Sequence, residues 1–106
     1  MGAEDDIGLR LSAQRALLNH VTPTLRAVSL DTDAEQHWVW ARFIFDGDPS
    51  ESVRDAVTCA STEIIADYPE GWNIAEEFVV CPASCKMEHR RLLVYHRCED
   101  SLIADA

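Results

Sequence analysis

Asp46–Pro69 reads D-G-D-P-S-E-S-V-R-D-A-V-T-C-A-S-T-E-I-I-A-D-Y-P. This stretch decides the fold, because it is a helix with one apolar ribbon that has to be covered. Asp48 is placed as N-cap, where its carboxylate can accept from first-turn amides that have no partner. Pro49 suits the first helical position, and Glu51, three residues after Asp48, has capping-box spacing. Val53, Ala56, Val57, Ala60, Ile64 and Ile65 then recur at steps of three and four and share one side. Arg54, Asp55, Thr58, Ser61, Thr62 and Glu63 fall largely on the other. Pro69 stops the helix and pushes Tyr68 out of helical geometry. A helix with one such stripe needs a sheet or a second helix beneath it.

The rest of the chain supplies both. Ile7–His20 has helical spacing, with Leu9, Ala13, Ala16 and Leu17 on one side. Thr24–Leu30 reads as a first strand, and Asp31–Glu35 as a turn. Gln36–Phe45, Q-H-W-V-W-A-R-F-I-F, is the strongest strand signal, rich in aromatic and β-branched residues. Glu70-Gly71 forms a turn into a third strand, Trp72–Cys81. Pro82–Arg90 is a loop, and Arg91–Cys98 a fourth strand. The order α-β-β-α-β-β predicts an α+β two-layer sandwich, two helices on a four-stranded antiparallel sheet, built from two helix-plus-hairpin halves. The 106 residues suit a single domain, with residues 1–6 and 99–106 expected to be flexible.

Side chains alternate along a strand, so Val39, Ala41, Phe43 and Phe45 form one face, assigned to the core. Trp38, Trp40, Arg42 and Ile44 form the other. If helices cover only one side, those residues lie on an open sheet face, joined from the fourth strand by Arg91, Leu93, Tyr95 and Arg97. Trp, Tyr and Arg are enriched where proteins meet. Burial of the tryptophans inside one subunit, or a homodimer through stacked open faces, are the competing readings.

Charge narrows the partners. Nineteen acidic residues against nine basic give a net charge of -10. That argues against nucleic acid and anionic membranes, which reward positive charge. It fits a basic protein partner, steered by Glu51, Asp55, Glu63 and Asp67 on the polar side of the central helix. A solvated helix face is the plainer alternative. No apolar run reaches the ~20 residues of a membrane span. No apolar signal core follows M-G-A-E-D-D, so a cytoplasmic protein is expected.

Catalytic signals are weak. Cys81, Cys85, His89 and Cys98 are the one group with metal- or thiol-like chemistry, and define the alternative of a small metal- or thiol-dependent enzyme or sensor. Their C-x-x-x-C spacing is neither a zinc knuckle nor the usual redox pair, and the four thiols are expected to be free. Cys59 has the place of inert packing in the helix. No glycine-rich phosphate loop is present. The expectation is no cofactor, no metal and no enzyme.

The segments L-S-A-Q-R-A-L-L, T-P-T-L-R-A-V-S, F-I-F-D-G and A-S-T-E-I-I-A-D-Y-P-E carry a resemblance to a family of short, acidic, largely uncharacterised bacterial proteins. It spans roughly residues 10–80. Some similar small acidic proteins serve as immunity proteins to secreted toxins, as in contact-dependent growth inhibition. The resemblance implies a non-catalytic binding module that masks a toxin, and it transfers no catalytic residue.

Overall fold

The computed structural model describes residues 3–99, with side chains from Asp6 onward. The elements follow the expected order: α1 (Ala3–Leu17), β1 (Leu25–Asp33), β2 (Trp38–Phe45), α2 (Glu51–Ala66), β3 (Asn73–Val80) and β4 (Leu92–His96). Two helices and a four-stranded sheet make an α+β fold. The sheet is mixed, however, with strand order β3-β2-β1-β4. β1 is antiparallel to β2 and β4, but β2 and β3 run parallel, in unbroken register from Trp38 opposite Asn73 to Phe45 opposite Val80.

This corrects the all-antiparallel sheet and the second hairpin. A parallel pair needs a crossover of a dozen residues or more, usually helical, and α2 supplies it between β2 and β3. β4 then runs parallel to β3 from the opposite edge. The connection after β3 therefore has to travel back along the sheet and across two strands.

α2 begins two residues later than Asp48 and Pro49 suggested. Ser50 is the N-cap, and its Oγ accepts from the Val53 amide at 3.3 Å. Ser and Asp cap comparably well. Asp48 instead takes Arg54 as a partner at 3.1 Å, and Pro49 lies outside the helix. Glu51 becomes the first helical residue, where its charge faces the positive helix end. α1 starts at Ala3, within the stretch expected to fray, and its Asp6 pairs with Arg91 at 2.9 Å. The expectations for residues 1–2 and 100–106 lie outside the described residues. His37, at φ 59°, occupies the left-handed region, so β2 starts at Trp38, two residues later than the Gln36 expected. Gly71 forms the turn before β3 at φ 98°, a conformation that costs glycine little.

Both helices lie on one face of the sheet. Leu9, Ala13 and Ala16 of α1 and Val57, Ala60 and Ile64 of α2 meet Val28, Leu30, Val39, Ala41, Phe43 and Phe45 in one buried core. The opposite face has a smaller apolar cluster of Ala27, Ile44 and Cys81, flanked by Val79, Met87 and Leu93. Residues 81–91 roof it as they cross beneath the sheet. Met87 packs into it, Arg42 Nη1 donates to the Glu88 carbonyl at 2.9 Å, and the Arg90 amide donates to Ser29 Oγ at 2.8 Å. The sheet face expected to be open is therefore strapped over its lower half.

Candidate partner interface

Above the strap the same face stays accessible. Trp38 and Trp40, two apart on β2, stack at 5.6 Å between centroids with their planes 21° apart. The Arg90 guanidinium lies 5.5 Å from the centre of the Trp40 ring, within cation–π range. Glu77 of β3 holds Arg42 Nε at 2.6 Å and approaches Arg90 at 3.5 Å. The result is a half-buried ladder of Trp38, Trp40 and Arg90, closed at its lower end by Arg42 and Glu77. Asp31, opposite Trp40 on β1, is held by Arg91 at 2.9 Å.

Tyr95 does not join it. A bulge between Val28 and Ser29 in the β1–β4 pairing leaves Val94 as the extra residue. Leu93 keeps to the strap side, whereas Tyr95, opposite Val28, packs against the helix-side core. Arg97 turns to Asp46 at 3.2 Å, to Glu99 at 2.8 Å and to the Pro23 carbonyl.

Nor does the structure bring the acids and the tryptophans onto one surface. Glu51, Asp55, Glu63 and Asp67 are exposed on α2, in the layer across the sheet from Trp38 and Trp40. Two of them are spoken for. Asp67 accepts from Ser12 Oγ at 2.6 Å and from Arg15, and these bonds hold its carboxyl below the usual range. Glu63 lies 3.6 Å from His20. Glu51 and Asp55 have no ion-pair partner among the described residues. Glu76 accepts from Ser61 Oγ at 2.9 Å.

The residue that sequence reading passed over is Arg26. A bulge between Leu25 and Ala27 makes it the extra residue on β1. Leu25 goes to the helix-side core and Ala27 to the strap side, while the Arg26 side chain is turned into the start of the strap. Its Nη1 donates to the carbonyls of Cys81, Pro82 and Cys85 at 2.8, 3.0 and 3.3 Å. Its Nε and Nη2 donate to Glu99 Oε1 at 2.9 and 2.6 Å. The two side chains are 6% and 12% exposed. The one available signal was an arginine inside the apolar run T-L-R-A-V-S-L.

Bonds from Arg26 first, then Arg97, hold the Glu99 carboxyl below its ordinary 4.5. A carboxylate with a lowered folded pKa contributes stability that is fully present above its unfolded value and lost as pH falls through the folded one. Stability should therefore decline as pH drops below about 4.5. Glu99→Gln should flatten that decline while lowering stability at neutral pH. Urea midpoints measured from pH 7 to pH 3 would show it, and parallel curves for the two proteins would contradict the assignment.

The Cys81 and Cys85 thiols come together, but among the described residues no third ligand-type side chain joins them. Cys81 is buried, Cys59, Cys85 and Cys98 are exposed, and all four are free. Burial, and then the neighbouring Cys85, push the Cys81 thiol up, away from a reactive thiolate. His89 meets His96 edge-on at 6.1 Å. Among the described residues no group of three or more His, Cys, Asp or Glu side chains could hold a metal ion, so Cys81, Cys85, His89 and Cys98 do not form the site considered as the alternative. No helix among the described residues is long and apolar enough to cross a membrane.

The chain is thus a small α+β domain with an aromatic ladder on one side of the sheet and a partly paired acidic surface on the other. Residues 6–99 match the model of the MafI2 immunity protein family, and the chain belongs to that family. No curated protein matches it.

Proposed function

We propose that this chain is a cytoplasmic immunity protein that binds a toxin and blocks it without catalysis, and that the Trp38–Trp40–Arg90 ladder is part of the surface it uses. Membership of an immunity family across nearly all of the described residues carries this reading. The ladder supports it, because large rigid aromatics and arginine give contact area at small entropic cost, and hot spots concentrate in them. Arg42 fixes the ladder's lower end through Glu77. Glu51, Asp55, Glu63 and Asp67 add to a negative field that draws in a basic toxin domain, changing association rate more than contact energy.

The test takes as probe the purified toxin domain of any toxin gene found beside the chain's own gene. Trp40→Ala should weaken binding at least ~10-fold, in line with loss of a hot-spot aromatic worth ~2 kcal/mol or more, and Trp38→Ala should act in the same direction. Affinity should fall as salt is added. Wild-type binding by both folded variants would remove the ladder from the site. Cells making the toxin that die despite the wild-type chain would remove the immunity reading itself.

A further inference from the structure

The outer edge of β3 is a second feature that the ladder does not explain. The Asn73 and Cys81 amides both donate toward β2, to the carbonyls of His37 and Phe45 at 2.9 and 2.8 Å. In a parallel ladder alternate residues turn their amide and carbonyl the same way. The odd-numbered residues of this stretch thus face β2, and Ile74, Glu76, Phe78 and Val80 turn their amides and carbonyls outward. Among the described residues nothing pairs with that edge.

Of the devices that normally blunt an edge it carries only the carboxylates of Glu76 and Glu77. It holds no proline, lysine or bulge across all eight residues of β3. Phe78 and Val80 are 36% and 49% exposed on it. The opposite edge is protected: β4 is short, carries the Val94 bulge, and has its Leu93 carbonyl taken by Arg10. Below the β3 edge, on the strap side, a cleft lined by Arg42, Glu77, Val79, Lys86, Met87 and Glu88 lies open beside the strand.

We infer that this edge accepts an extended segment of the toxin as a fifth strand, with a basic side chain beside Glu76 and an apolar one beside Phe78 or Val80. The inference rests on the toxin-binding reading above and names the segment's chemistry. Strand addition draws affinity from main-chain bonds and specificity from alternate side chains. Glu76 lies on the helix side, near Ser61, and Glu77 on the strap side, with Arg42. Glu77 is already held by Arg42 and Arg90, whereas among the described residues the exposed Glu76 carboxylate meets only the Ser61 hydroxyl, which leaves its charge unpaired. An antiparallel self-pairing centred on Glu76 sets that carboxylate against its own copy, which disfavours a second copy of this chain there and favours a cationic segment. Its strap-side residues would stand next to Asn73 and Ala75, the β3 neighbours of Trp38 and Trp40. The edge and the ladder therefore make one continuous surface.

Amide hydrogen exchange on the wild-type chain, free and with the same purified toxin domain, tests it. Protection at Ile74, Glu76, Phe78 and Val80 should rise at least tenfold on binding, while the odd-numbered amides, already bonded to β2, change little. In parallel, Val80→Pro deletes one outward amide and should weaken binding at least tenfold relative to Val80→Ala. A toxin that binds while those four amides exchange as in the free chain overturns the strand-addition inference and leaves the immunity reading standing. No binding at all overturns both. Protection that appears without toxin, together with a dimer in sedimentation, assigns the edge to a second copy and overturns the inference.

Discussion

Arg26→Ala should lower stability by ~3–5 kcal/mol, the usual consequence of removing one partner from a buried ion pair. The variant leaves Glu99 without its shortest partner at 2.6 Å and strips one donor group from the carbonyls of Cys81, Pro82 and Cys85. An unmet buried acceptor costs far more than an average hydrogen bond contributes. In a domain of this size the melting temperature should drop by about 12 °C or more. Arg26→Lys should recover only part of the loss, since an ammonium cannot reproduce a planar fork aimed at a carboxylate and a row of carbonyls. Arg54→Ala, which breaks an exposed pair with Asp48, should shift stability by ~0.5 kcal/mol or less. If Arg26→Ala and Arg54→Ala melt alike, the strap is held by something other than Arg26.

The second large effect is expected at Phe43, whose truncation to alanine should cost ~3–5 kcal/mol. Its ring is fully buried, opposite Val28 on β1 and Phe78 on β3, with the Phe78 centroid 5.9 Å away. It joins three strands beneath the helices, and close-packed surroundings relax only partly into the cavity. Trp38→Ala, five residues back along β2 and so on the other, half-exposed face, should lose much less stability and mainly affect binding. Denaturant midpoints for the two variants, set beside their toxin affinities, would separate them. A Phe43→Ala protein as stable as Trp38→Ala would contradict the assignment of faces on β2.

The reach of sequence reading is visible in these same residues. Phe43 could be placed in the core from alternation along β2, and Val57, Ala60 and Ile64 from helical spacing, because both segments are regular. Arg26 and Tyr95 could not be placed. Each lies at or just past a bulge, and one added residue exchanges the two faces of everything after it. Tyr95 thus turned to the helix side although simple counting put it with Trp40. The parallel pairing of β3 leaves little trace in β3's own residues. It was legible only in the connections: a whole helix between β2 and β3, and a long loop after Cys81 that no tight hairpin requires. The α2 cap was missed because Asp48 and Ser50 are equally good caps two residues apart, and only the position of Arg54 separates them. The acidic stripe was read correctly as exposed. That Arg15 and His20 on or beside α1 would sit against Asp67 and Glu63 depends on how the helices dock, which spacing within one helix does not encode.

The strand order has a kinetic consequence. β1 and β2 are neighbours along the chain as well as in the sheet, joined through a short turn in which Asp33 Oδ1 accepts from the Glu35 and Gln36 amides. The other pairings, β2 with β3 and β1 with β4, each bring together distant segments, so loop-closure entropy delays their reward. A β1–β2 ribbon formed ahead of them would leave Phe43 and Phe45 wet on one side and Ile44 and the tryptophans wet on the other. That interval is when this chain is most exposed to association with its own copies.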